Sequence, residues 1–100
     1  MGEGAVIIEL SRAIDAQSLE RARRVAWFDA AREYQQFGCA NTVAFLKTHC
    51  KLSAGAALDI LNVARRLNEL PVVEAAVERG QIGFQQAAVL AESAGVLVER

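Results

Sequence analysis

A single proline, Pro71, interrupts this chain of 100 residues. No stretch sustains the two-residue alternation of apolar and polar side chains, rich in β-branched residues, that marks a half-buried strand. Alanine is abundant in its place. The pattern predicts an all-α fold of five to six helices: a long first helix, then short helices in an irregular bundle with a helix-turn-helix-like segment.

With 53% hydrophobic and 23% charged residues, the chain can bury a core, which excludes the composition of a disordered segment. One hundred residues make one helical domain, 1–100, whole or the N-terminal part of a longer one. Uninterrupted apolar runs such as Ala5-Val6-Ile7-Ile8 fall far short of the ~20 residues of a membrane span, so no membrane partner is expected. The start Met1-Gly2-Glu3-Gly4 has no basic segment of the secretory type, which makes the cytoplasm the expected location. The end, Leu97-Val98-Glu99-Arg100, reads as still continuing, as in a piece of a longer protein.

The formal net charge is −1, without the basic excess usual in a free-standing nucleic-acid binder. Its distribution is uneven. Residues 41–70 hold Lys47, Lys51, Arg65 and Arg66 against Asp59 and Glu69, whereas residues 71–100 are acidic. Arg21, Arg23 and Arg24 form a tight basic cluster in an otherwise slightly acidic first forty residues.

The first helical region is expected over 5–36. Ile7, Leu10 and Ile14 fall on one face; from Leu19 the stripe changes phase to Leu19, Ala26, Trp27, Ala30 and Tyr34. The slip near Asp15-Ala16-Gln17-Ser18 predicts a kink, or two helices with Asp15 or Ser18 as an N-cap. Gly38 is placed to stop the region. A compact short-helix region follows over 41–95. Asn41 or Thr42 caps its first helix, and Ser53 caps a helix from Ala54 to about Glu69. That helix should bury Ala57, Ile60, Leu61, Ala64 and Leu67. Pro71 suits the start of a helix running from Val72 to Arg79, ahead of Gly80. A last helix is expected from Phe84 through Ala94, with Gly95 as its stop.

Candidate chemistry is sparse. Cys39 and Cys50 lie in a chain with one histidine, His49, and no second Cys or His pair completes a zinc set. Structural, buried thiols are expected, with no metal and no cofactor. No glycine-rich phosphate loop or nucleophile–histidine motif is present, so no catalytic residue is assigned. Trp27, Phe28, Tyr34 and Phe37 suit core packing or a partner interface better than a base-stacking platform. The segment from Asn41 to Glu69 has the order of a helix-turn-helix. Its second helix, however, would lead with Ala54, Gly55, Ala56 and Ala57, which cannot hydrogen-bond to base edges.

Several short motifs occur in a familiar order. They are Asn41-Thr42-Val43-Ala44-Phe45-Leu46, Leu52-Ser53-Ala54-Gly55-Ala56-Ala57, Val63-Ala64-Arg65-Arg66-Leu67-Asn68-Glu69-Leu70-Pro71 and Gly80-Gln81-Ile82-Gly83-Phe84-Gln85-Gln86-Ala87. Together they resemble the domain of unknown function 222, a helical domain common in actinobacteria that precedes HNH endonuclease domains. The chain departs from that family in having Cys50-Lys51 where Thr-Gly is common, and Phe45 in place of tryptophan. The HNH motif itself is absent from it.

The resemblance implies a non-catalytic accessory module of an HNH-endonuclease-type protein, positioning or recruiting it through DNA-backbone or protein contacts. For double-stranded DNA, the candidate phosphate contacts are Lys47, Lys51, Arg65 and Arg66. Their alternative role is as solvated charges, with Arg65 and Glu69 paired at helical spacing. The alternative function is a protein-interaction domain with no nucleic-acid role. It would form a homodimer through the first helix, with Trp27, Phe28 and Tyr34 as interface candidates.

Overall fold

The computed structural model describes residues 2–98. Five α-helices follow one another: α1 (Glu3–Ala30), α2 (Thr42–His49), α3 (Ala54–Arg66), α4 (Pro71–Glu78) and α5 (Phe84–Val98). Short 3₁₀ segments, Glu33–Phe37 and Leu67–Glu69, follow α1 and α3. Among the described residues there is no strand, and the all-α expectation holds.

Three boundaries differ from expectation. Helix α1 runs unbroken through Asp15–Ser18, so the phase slip marks a change of neighbours along one helix and not a kink. It also stops at Ala30, not near 36: Arg32 takes a left-handed backbone at φ 55°, and a 3₁₀ turn carries the chain to Gly38 at φ 72°. At the other end, Gly95 does not stop α5, which continues to Val98.

Helix starts follow local chemistry closely. The Asn41 side chain accepts the Ala44 N–H at 2.8 Å, and Ser53 Oγ accepts the Ala56 N–H at 3.1 Å. Thr42, the other candidate cap, is instead buried, and its hydroxyl donates to Asp29 Oδ1 at 2.5 Å. Pro71 occupies the first turn of α4, where its missing N–H costs nothing.

Helix α3 is central. It packs against α1, α2 and α5, burying Ala57, Ile60, Leu61, Val63 and Ala64. Val63 joins the expected face because neighbours cover α3 on more than one side. Leu67 lies beyond the helix in the 3₁₀ turn and is half-buried. Alanine supplies much of the contact between these helices. Ala22 of α1, Ala57 and Ala64 of α3, and Ala88 and Ala91 of α5 meet in one core cluster with Leu46, Ile60 and Phe84. A second cluster of Leu19, Val77 and Ala87 locks α4 between α1 and α5.

Candidate functional site

The basic candidates do not assemble into one free surface. Lys47 on α2 and Lys51 in the following turn are exposed. Arg65 Nε instead donates to Asp29 Oδ2 at 3.3 Å, tying the end of α3 to the end of α1. Arg66 Nη1 pairs with Glu69 Oε2 at 3.1 Å. The expected Arg65–Glu69 pair is therefore replaced. Because α3 ends at Arg66 and residues 67–69 tighten into a 3₁₀ turn, Glu69 comes round to the residue three before it.

Lys51 stands at φ 58°, in the left-handed position that closes a helix C-terminus. The Cys50 and Leu52 N–H groups both reach the Leu46 carbonyl, at 3.2 and 3.3 Å. The turn thus orders the backbone while leaving the ammonium in water. Helix α3 does not project as a reading helix would. Its outward face carries Leu58, Asn62 and Arg65, its start at Ala54 and Gly55 is exposed, and Ala57, Ile60, Leu61, Val63 and Ala64 are packed into the core.

The three aromatic candidates separate. Phe28 and Tyr34 belong to a half-buried aromatic cluster, with ring centroids 6.4 Å apart. Phe28 lies 4.4 Å from Phe45, and Phe37 lies 4.9 Å from Phe45. His49 stacks on Phe45 at 5.1 Å, which occupies the only imidazole of the chain in packing. Trp27 takes no part in these ring pairs, although it lines one groove with Phe28 and Phe45. It is 67% exposed, with the Arg24 guanidinium 5.5 Å from its ring.

Both cysteines are free thiols, and neither is buried as expected: Cys39 is half-buried and Cys50 is exposed at the C-terminus of α2. Among the described residues no group of three His, Cys, Asp or Glu side chains stands close enough to hold a metal ion. Nor is any helix among them long and apolar enough to cross a membrane.

Sequence reasoning missed the role of Arg23. Its guanidinium bonds Glu74 Oε1 through Nε at 2.9 Å and also reaches Glu78, clamping α4 onto α1. These bonds, that to Glu74 foremost, hold Arg23 still more firmly protonated than a free guanidinium. Arg23 is thus withdrawn from the basic cluster of α1, leaving Arg21 exposed and Arg24 paired with Glu20 at 3.1 Å.

The front of α1 carries a group of exposed large aliphatic side chains. Val6, Ile7, Ile8, Leu10 and Ile14 are 43–60% exposed within the first half of one helix. Of these, Ile7, Leu10 and Ile14 form the stripe that the sequence places on one face. The structure leaves that stripe in water, whereas Leu19, Ala22 and Val25 further along α1 are buried. Arg12 and Asp15 lie against Gly80 and the start of α5, in a groove that Ile7 and Ile8 also line. No protein-family model matches the chain, nor does any curated protein or any solved structure.

Proposed function

We propose that this chain is a non-catalytic helical docking module that engages a protein surface through the front half of α1. The observation that carries the reading is the exposure of Ile7, Leu10 and Ile14, at 59%, 57% and 60%, on a helix whose other half is built into the core. A small domain leaves so many large aliphatic side chains together in water where a partner covers them. The resemblance to the domain of unknown function 222 supplies the context: an accessory role beside an HNH-type endonuclease, whose recruitment or positioning the docking would serve.

A DNA-backbone role through Lys47, Lys51, Arg65 and Arg66 has weaker support. Two of the four cations are spent on Asp29 and Glu69, and the net charge supplies no general attraction to phosphate. The test is titration calorimetry of the chain against an HNH-domain protein of the resembled family, alongside anisotropy of a labelled random duplex at two salt concentrations. Protein binding that Ile7→Ser/Leu10→Ser/Ile14→Ser removes supports the reading. Micromolar duplex binding that falls steeply with salt, unaffected by those substitutions, replaces it with the DNA role.

A further inference from the structure

Resting on the reading of α1 as the docking element, we infer that one occupant of its front face is the same face of a second copy, paired antiparallel about a two-fold axis at Leu10. The residues Glu3, Ile7, Leu10, Ile14, Gln17 and Arg21 recur at alternating spacings of four and three, which lines them up as one seam along α1. All six are exposed. The seam is acidic at its start, apolar through the middle and basic at its end. Among the described residues neither Glu3 nor Arg21 takes part in an ion pair, so both charges are available to a partner.

This order of charge selects the direction of pairing. A parallel pair sets Glu3 against Glu3 and Arg21 against Arg21, with like charges meeting at both ends. The antiparallel pair about Leu10 brings Leu10 onto Leu10 and Ile14 beside Ile7 of the second copy. Glu3 then lies beside Gln17 of the second copy, one helical turn from its Arg21. Opposed helix dipoles favour the same direction. The two cores are kept apart, because each is built on the later half of its own α1, beyond the overlapping residues 3–17. The contact is isologous and closed, so it yields a dimer and not a chain of copies.

Direction is read by single cysteines in a Cys39→Ser/Cys50→Ser background, oxidised with diamide and resolved by denaturing electrophoresis. At a rise of 1.5 Å per residue, the two Glu3 positions of the antiparallel pair are about 21 Å apart, beyond disulfide reach. Leu10→Cys is expected to cross-link to itself at least tenfold faster than Glu3→Cys. Mixing Glu3→Cys with Gln17→Cys is expected to yield a mixed cross-linked dimer. Sedimentation of the unsubstituted chain at about 0.5 mM, far above the micromolar Kd expected of a small interface, should show the dimer. Glu3→Cys joining to itself as readily as Leu10→Cys overturns the inference and leaves the docking reading standing. A monomer at that concentration also overturns the inference, and the docking reading is then judged by the HNH-domain titration.

Discussion

The Asp15 carboxylate accepts the backbone N–H of Phe84 at 3.1 Å, across 69 residues of sequence. Helix α1 thereby supplies the N-terminal cap of α5, while Gln86 reaches back to the Gly83 N–H at 2.9 Å in the manner of a capping box. The negative charge sits where the dipole of α5 is positive. Asp15→Ala should destabilise the domain by about 1 kcal/mol, a fall in Tm of about 4–8 °C for a domain of this size. Asp15→Asn, which keeps the acceptor, should lose less. Thermal denaturation of both variants checks the pair.

Lys51 occupies a left-handed backbone position that glycine enters without steric cost. Lys51→Gly should therefore stabilise the fold by about 0.5–1 kcal/mol, despite the entropy glycine gives up on folding. An unchanged or lower midpoint in urea denaturation would contradict this account of the turn. The substitution also removes a candidate phosphate contact, so duplex binding measured on the same variant separates the turn's backbone from its charge.

Leu61 is 5% exposed in the middle of α3, among Ala22, Val25 and Ala88 of the same core cluster. Leu61→Asp buries an unpaired carboxylate there and should cost more than about 5 kcal/mol, enough to unfold a domain at the lower end of the usual stability range. Loss of the far-UV helical signal at 25 °C is the expected result. A melting temperature equal to that of the unsubstituted chain would remove α3 from the centre of the fold.

Trp27 and Phe45 should behave oppositely, although both are large aromatics close to the same groove. Trp27→Ala removes a ring that is 67% exposed and should change stability by no more than about 0.5 kcal/mol. Phe45→Ala empties the centre of the aromatic cluster, where the Phe28, Phe37 and His49 rings lie 4.4, 4.9 and 5.1 Å from Phe45, and should cost about 2 kcal/mol. Equal losses from the two substitutions would mean that Trp27 packs within its own domain.

Much of the fold was legible because it rests on local signals. Asn41, Ser53, Pro71 and Gly80 mark helix ends whose causes lie within a few residues, and the period of Ala57, Ile60, Leu61 and Ala64 identifies the buried face of α3. What could not be read was set by distant neighbours. Asp15 looks like a cap for its own helix, but its partner is Phe84. Arg65 looks like a partner for Glu69, yet Asp29 takes it, and Thr42 turns inward to the same carboxylate. The phase change along α1 is visible in sequence as a break in one stripe. Only the packing of α3, α4 and α5 against its later half explains why the helix stays whole and its front stripe stays in water.

The central claim is that Ile7, Leu10 and Ile14 serve a partner and contribute nothing to the chain's own core. Thermal denaturation of Ile7→Ser/Leu10→Ser/Ile14→Ser at micromolar concentration, where weak association adds little stability, tests it directly. The account predicts a Tm close to that of the unsubstituted chain, together with loss of association at high concentration. A Tm lower by more than about 10 °C, with association unchanged, would place the stripe in the chain's own core and contradict the account.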